Sequence, residues 1–413
     1  MSSTQDTCFT HLSGAHTVRP QPCATIPHCS CPAFRRIPWP GRAACPAPQP
    51  DGRSPSATPS LFMLRNTNDM TVCITDYGAR LVSVLWPQSK PPCSGSTGAP
   101  DSRRDVITGY DSPYMYMDDP YYMGAIIGRL ANRTSGACFS LDGQRHCLKA
   151  NDGPHHLHGG PHGLHSRMWQ VQAGDYAENA TIILRYASPH GEQGYPGTVQ
   201  FTVSCTLTDS NTLRLTMHAQ ADVPTPVSLT AHPYFNLSGH PAGSLHGHRL
   251  TVHASRYLPC TTAQKNGYGI PAGHTAPVAG TALDFTTPRD LTQALRQTPQ
   301  GFDHYAVLDA AASASEPQHP ALRHAATLHH VPTGRSMQVH TDQPGLQIYS
   351  ANFIAPRTRG KYGTCYGPQT AICLEPHGFP DAVNNAHFPS CIIGPQAPYT
   401  QTTEYRFFTG QQA

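Results

Sequence analysis

Polar residues capable of acid–base chemistry gather in five short clusters of the sequence. Each cluster combines imidazole, guanidinium, amide or carboxylate groups with glycine, proline or aromatic residues. Carboxylates and imidazoles are the usual general acids and bases of proteins, because their surroundings can tune their pKa values toward neutral pH. The clusters are residues 128–133 (GRLANR), 155–160 (HHLHGG), 232–237 (HPYFNL), 302–304 (FDH) and 374–381 (LEPHGFPD).

The histidines of the second cluster suggest either a metal site or a sugar site. Five of them fall within eleven residues, namely His155, His156, His158, His162 and His165. A zinc site is the less favoured interpretation. Gly159, Gly160 and Pro161 exclude a helix that would align the metal-binding side chains, and no cysteine or carboxylate stands at metal-ligand spacing. A bound sugar fits better, because imidazole and guanidinium groups donate hydrogen bonds to hydroxyls and glycines let the backbone approach closely.

Other reaction classes receive less support. Asp303 and Glu375 could form the carboxylate pair of a glycoside hydrolase, but the histidine-rich surroundings argue against it, since glycosidic cleavage usually employs a protonated carboxylic acid. The sequence contains no Walker loop, no GxGxxG motif after a strand and no GxSxG elbow.

Short strands must position these clusters. Apolar residues alternate with polar ones in segments such as 198–207 and 212–220, and Asp142-Gly143 is a hairpin signal between two further segments. Helical periodicity is limited to residues 290–297, behind an aspartate cap. Many close strands with few short helices predict an all-β fold, an antiparallel sandwich or barrel.

Composition narrows the partners of the protein. The net charge is only +3, and the basic residues are scattered, which argues against a nucleic-acid partner. No apolar run approaches the length that crosses a bilayer, so we expect no membrane partner. None of the 14 cysteines forms a CxxC pair. We interpret them as mostly free thiols in a reducing compartment and expect a cytoplasmic protein.

The first 60 residues differ from the rest of the chain. They hold 11 of the 41 prolines and five cysteines, with hardly any periodic apolar pattern. Such a composition buries too little apolar surface to offset ordering entropy, and it predicts a disordered extension. Four arginines against one acid before position 51 faintly resemble a transit peptide, so organelle targeting stays open. The domain is expected to span residues 61–413.

The five clusters, in this order, resemble those of the aldose 1-epimerase or galactose mutarotase family. The resemblance runs over about residues 61–408, and it is specific because the clusters occur together. Supporting stretches are residues 74–79 (ITDYGA), 194–197 (GYPG), 343–345 (QPG) and 379–382 (FPDA). The resemblance implies a large antiparallel β-sandwich of the galactose-mutarotase type with an open cleft, no metal, no organic cofactor and a small-molecule aldohexose substrate.

Position by position, the resemblance assigns roles to eight residues. His232 matches the general acid and Glu375 the general base. Sugar-binding positions are matched by Asn132, Arg133, His158, Tyr234 and Asp303, with Gln343 a further member. The implied reaction interconverts the α and β anomers of free hexoses such as glucose and galactose: ionised Glu375 takes the anomeric hydroxyl proton, protonated His232 delivers one to the ring oxygen, and the ring opens and recloses. Opposite charges in one cleft favour each other's ionised form.

The sequence departs from the family pattern around this pair. Ala231 and Pro233 flank His232 where asparagine and a small hydroxyl residue are usual, Pro376 and His377 replace a Thr-Gln pair, and Ala351 replaces a glycine. Sugar preference and turnover are therefore open.

Two alternative functions follow from the same residues. One is a non-catalytic sugar-binding sensor. The other is a hexose-6-phosphate 1-epimerase, although a phosphate calls for a group of Arg or Lys and only Arg133 is a clear candidate in the clusters. The expected assembly state is a monomer or weak dimer.

Overall fold

Antiparallel strand pairing builds nearly all of the regular structure. The computed structural model describes residues 33–39, 58–87, 104–173, 179–241, 243–261, 269–309 and 322–410, all within one compact unit. In this part of the chain the α-helices are α1 (Pro113–Met117) and α2 (Leu291–Gln297). The side chain of Asp290 accepts a hydrogen bond from Gln293 N and so caps α2, as the sequence predicts.

A nine-stranded sheet forms the largest layer. Strands β12 and β13 show the expected alternation, with every second side chain buried. In spatial order the strands are β10 (Gln170–Ala173), β11 (Ala180–Ser188), β12 (Val199–Leu207), β13 (Thr212–Ala221), β28 (Tyr399–Thr409), β22 (Arg335–Thr341), β21 (Arg323–His330), β16 (His248–Val252) and β19 (Arg289–Asp290).

A five-stranded sheet packs its apolar face against this layer. Its order is β18 (Ala276–Pro277), β17 (Arg256–Leu258), β20 (Asp303–Val307), β23 (Gly345–Tyr349) and β26 (Cys373–His377). Leu346, Ile348 and Leu374 from this sheet share one buried cluster with Leu213 and Leu215 of β13. The fold is therefore an all-β sandwich, which confirms the predicted class.

Smaller sheets complete the molecule. A four-stranded meander consists of β1 (Ala33–Ile37), β2 (Leu61–Arg65), β3 (Thr71–Thr75) and β4 (Leu81–Leu85). Five strand pairs remain: β5 (Ile126–Ile127) with β15 (Thr230–Ala231), β6 (Arg133–Thr134) with β9 (His156–Leu157), β7 (Cys138–Leu141) with β8 (Gln144–Cys147), β14 (Thr225–Pro226) with β27 (Ile392–Ile393), and β24 (Thr358–Arg359) with β25 (Cys365–Tyr366).

Strand β1 lies within the 60-residue segment that composition predicts to be disordered. It pairs with β2 along its full length, and Trp39 donates a hydrogen bond from Nε1 to the Pro59 carbonyl at 3.0 Å. The prediction therefore differs from the structure at these residues, because local composition does not reveal that the β2 edge offers backbone partners. Apart from residues 33–39 and 58–60, the segment lies outside the described residues. No helix among those described is long and apolar enough to span a membrane.

Candidate active site

The five-stranded sheet carries polar side chains on the face turned away from the core. Gln347 in β23 lies opposite Glu375 in β26, and Asp303 in β20 lies opposite Tyr349. Because side chains alternate across a strand, their neighbours Leu346 and Leu374 point into the core instead. Register alone thus brings an aspartate, a glutamine and a glutamate to one surface.

His232 reaches this surface from a second element. It follows strand β15, and its backbone is held on both sides: its N–H donates to Ala125 O, and its carbonyl accepts from Gly124 N, each at 2.9 Å. The ring lies with Nε2 3.5 Å from Glu375 Oε1 and with Nδ1 3.5 Å from Cys373 Sγ. Acid and base candidates are therefore neighbours, as the resemblance implies.

The pair β6 and β9 contributes the other polar wall. Asn132 and His158 both have left-handed backbones, with φ of 64° and 54°, a conformation that non-glycine residues rarely adopt and that concentrates at functional sites. The Asn132 N–H donates to His158 Nδ1 at 3.3 Å. Since Nδ1 accepts, the proton of the neutral ring lies on Nε2.

Hydrogen bonds connect the two walls. Asn132 Nδ2 donates to Gln347 Oε1 at 3.0 Å, and Gln347 Nε2 donates to Asp303 Oδ1 at 2.6 Å. Arg133 is fixed separately, because its Nε donates to Asp152 Oδ2 at 2.7 Å. Such networks hold side chains in one geometry before a ligand arrives.

Together these residues line a cavity of about 600 Å³, counting its open mouth. Seven of the eight residues assigned from the sequence line it: His232, Glu375, Asn132, Arg133, His158, Tyr234 and Asp303. Tyr234 stacks on the His232 ring at a centroid distance of 5.0 Å and donates its hydroxyl hydrogen to Tyr121 O.

Gln343 is the member that the structure does not bring to the cavity. Its amide Nε2 donates to Asp342 Oδ1 at 2.9 Å, beyond the end of β22, whereas Gln347 lines the cavity. The strand alternation of residues 345–349 was the available signal for Gln347. The residues assigned from the sequence also did not include the aromatic part of the cavity wall. It consists of Tyr121, Tyr122, Tyr349 and Phe353, together with Pro120 and Leu157.

Burial controls the charges in the cavity. Burial lowers the pKa of His232 to about 3 and, with the nearby Asp303 adding to it, raises the pKa of Glu375 well above its usual value. Burial also raises the pKa of Asp303, opposed by Arg133, and lowers that of His158. The expectation that His232 and Glu375 stabilise each other's charged forms therefore differs from the structure, because desolvation outweighs attraction in this buried pair.

His232, Cys373 and Glu375 offer ligand atoms within 4.8 Å of one another. The thiol and the carboxylate, however, approach opposite edges of the imidazole, one at Nδ1 and the other at Nε2. We interpret the group as an acid–base pair with a neighbouring thiol, and the absence of a metal stays a prediction.

The departures from the family pattern lie behind the cavity wall. Ala231 pairs with Ile126 in the strand before His232, and Pro376 lies on the core face opposite Leu346. The His377 ring packs on Tyr305 at 5.1 Å. Like Pro233 and Ala351, these residues are absent from the cavity lining in the described parts of the chain.

Comparisons with known proteins identify the family. Residues 60–406 match the model of the family described as aldose 1-epimerase. Galactose mutarotase from Bos taurus is 37% identical over 304 residues, 73% of this chain and 84% of the relative. Aldose 1-epimerase from Escherichia coli strain K12 is 32% identical over 369 residues, 88% of this chain and 98% of the relative.

Solved structures agree with the fold. The aldose epimerase homologue from C. elegans superimposes with a TM-score of 0.70 at 25% identity, covering 83% of this chain and 96% of the homologue. Galactose 1-epimerase from Lactobacillus acidophilus gives a TM-score of 0.72 at 24% identity, over 92% and 99% of the two chains, and supports the fold alone. With the family model and these relatives in agreement, the chain belongs to the aldose 1-epimerase family.

Proposed function

We propose that this protein interconverts the α and β anomers of a free aldohexose, with His232 and Glu375 as the proton-transfer pair. The observation that carries the proposal is the 3.5 Å approach of His232 Nε2 to Glu375 Oε1 in the wall of the cavity. The epimerase reaction class follows from family membership, and the residue roles are the proposal.

The shifted pKa values supply the proton count that the reaction requires. Neutral His232 beside protonated Glu375 holds one proton more than neutral His232 beside carboxylate, and so does imidazolium beside carboxylate. His232 Nδ1 lies 3.5 Å from Cys373 Sγ, and in the tautomer that carries its proton on Nδ1 the Nε2 lone pair faces Glu375. The two states then differ only by transfer of one proton along the Oε1–Nε2 contact.

Ring opening uses the charged state and yields the neutral one. Glu375 removes the proton from the anomeric hydroxyl as His232 Nε2 gives one to the ring oxygen, so the C1–O5 bond breaks and an aldehyde forms. The pair is then neutral, the state that burial favours. Rotation about C1–C2 and reclosure reverse the transfers and give the other anomer. The reaction therefore consumes no proton and no co-reactant.

The remaining cavity residues hold the sugar. Asp303 and Gln347 present hydrogen-bonding groups on the sheet, while His158 Nε2–H and Arg133 donate from the opposite wall. Tyr349 and Phe353 stack at 6.0 Å and form an apolar surface at the mouth. Fixed donors in a desolvated cavity stabilise developing charge without reorganisation.

A phosphorylated hexose finds less support in the cavity. Among the described lining residues Arg133 is the cation, and it faces Asp303 and is bound by Asp152. A dianionic phosphate would meet that carboxyl pair rather than a free guanidinium. We therefore propose a free hexose as the substrate.

Polarimetry tests the proposal. Freshly dissolved α-D-glucose or α-D-galactose should equilibrate faster with the purified protein than in a buffer blank. His232→Ala and Glu375→Gln should each remove the acceleration, and His218→Ala, on the outer face of β13, should keep it. Full activity in both site variants would refute the roles. Saturable sugar binding by calorimetry without acceleration would instead identify a sensor, and competition by glucose 6-phosphate would indicate a phosphosugar site.

A further inference from the structure

Two cysteines lie directly opposite each other in the hairpin of β7 and β8. Asp142 and Gly143 form its two-residue turn, both with positive φ, as a tight hairpin turn demands. This turn sets the register, in which Cys138 is the partner of Cys147. Both are free thiols in the structure.

The hydrogen-bond pattern places this pair at a site where side chains come closest. Leu148 N donates to Ala137 O at 2.8 Å, so the adjacent pair is hydrogen-bonded. Antiparallel pairs alternate, which makes the Cys138–Cys147 pair non-hydrogen-bonded, with a Cα separation of about 4.5 Å. Disulfides span Cα separations of roughly 4.4–6.8 Å. The backbone therefore stands within disulfide reach without rearrangement.

Both sulfurs lie on the outer face of the hairpin. Phe139, the next residue, is buried on the inner face, so alternation directs Cys138 outward. Cys147 is exposed and Cys138 is half-buried. Arg145 Nη2 donates to Cys138 Sγ at 3.5 Å, which places a positive charge beside a sulfur that must become anionic to react. Small thiol reagents can reach this face.

We propose that Cys138 and Cys147 form a reversible dithiol–disulfide site for small-molecule disulfides such as oxidised glutathione. The Cys147 thiolate attacks one glutathione sulfur, forms a mixed disulfide and releases one glutathione. The Cys138 thiolate then attacks the Cys147 sulfur, closes the Cys138–Cys147 bond and releases the second. The two electrons lost by the dithiol reduce the glutathione disulfide, and both thiol protons are taken up by the released thiolates. This proposal is independent of the sugar reaction.

Trypsin separates the two cysteines, which makes the bond directly visible. Cleavage after Arg133, Arg145 and Lys149 places Cys138 in peptide 134–145 and Cys147 in peptide 146–149. Full-length protein is incubated with oxidised glutathione, its remaining thiols are blocked with N-ethylmaleimide, and the digest is analysed by mass spectrometry. The expected product is peptide 134–145 linked to 146–149, lighter by two hydrogens than their sum and lost after dithiothreitol.

Matched variants show whether the register of the hairpin is what allows Cys138 and Cys147 to form the linked peptide. Cys138→Ser should leave glutathione attached to Cys147 and abolish the linked peptide. Exposed Cys365 lies opposite Arg359, so it should yield a glutathione adduct and no internal link. Recovery of both wild-type hairpin peptides as maleimide adducts after oxidation would overturn the proposal. A link from Cys138 to Cys391 would also overturn it. Cys391 is a half-buried cysteine that packs against the group of buried hydrophobic residues containing Phe139.

Discussion

The two large sheets of this protein use the same antiparallel pairing for different purposes. In β13 of the nine-stranded sheet, buried residues alternate with more exposed ones, so one face meets the core and the other meets solvent. In β23 and β26 of the five-stranded sheet, all residues are buried. Its second face is covered by the short strand pairs and loops that enclose the cavity. A sheet with two covered faces can hold polar groups away from water.

Two buried glutamates, one in each sheet, show how the neighbouring side chains set the pKa of a carboxyl group. Burial raises the pKa of Glu404 in β28, but hydrogen bonds from Arg406 and Arg214 outweigh it and lower the pKa overall. Burial raises the pKa of Glu375 in β26, and Asp303 raises it further. The first carboxylate is an ion-paired structural group, whereas the second is the proton carrier that we propose. The partners on the surrounding strands decide between these roles.

The largest expected effect comes from the polar face of the five-stranded sheet. Glu375→Gln keeps the shape of the side chain but removes its titratable carboxyl group, so kcat should fall by about 10² to 10⁴. The thermal midpoint should hold or rise, because a neutral amide is no worse buried than a carboxyl. Polarimetry and thermal unfolding measure both. A variant that unfolds as well would show that Glu375 is structural.

A leucine of the other sheet should give the opposite result. Leu215→Ala in β13 removes a side chain with no exposure, and the free energy of unfolding should fall by about 2–5 kcal/mol. The kcat per folded molecule should stay unchanged, because the residue is separated from the cavity by the apolar core. Denaturant titration with activity normalised to the folded fraction tests this. Loss of kcat in the folded fraction would remove the distinction between the sheets.

A smaller effect distinguishes two glutamines of similar burial. Gln347 and Gln343 are 6% and 8% exposed, but Gln347 bonds to Asn132 and Asp303 in the cavity. Gln347→Ala leaves buried partners unsatisfied, at a cost of about 1–3 kcal/mol, so KM should rise by roughly tenfold. Gln343→Ala should leave KM unchanged. The reverse outcome would restore the assignment made from the sequence resemblance.

Gln343 and Gln347 also show which features of the site could be predicted from the sequence and which could not. Strand alternation and the aspartate cap of α2 are local patterns, so the class of fold and the start of α2 were predictable. The residue types of the clusters were predictable too. Alternation within β23 gives the face on which Gln347 lies, but its position beside Glu375 depends on the register between β23 and β26, which is set by long-range pairing.

Other features of the site depend on tertiary structure alone. Tyr121 and Phe353 come from loops without a periodic pattern, and their positions follow from the elements on which they pack. The protonation of His232 and Glu375 depends on how completely other strands cover them, which no local window contains. The edge pairing of β1 likewise needs the neighbouring strand to be in place.

The buried His232–Glu375 pair should give kcat/KM a pH profile that differs from that of a free histidine and a free glutamate. His232 begins from an ordinary value of 6.5, and burial lowers its pKa to about 3. As pH falls, the pair keeps its single proton until His232 also takes one near that lower value. As pH rises, the proton stays until the raised pKa of Glu375 is passed. Since one shared proton is the active state, kcat/KM, which reports the free enzyme, should hold through pH 4.5, where an ordinary glutamate titrates, and should fall on the acid side only near pH 3. Blank-corrected polarimetry across acidic buffers measures it, and a loss of activity centred on pH 4.5 would mean that desolvation does not set the charge of the pair.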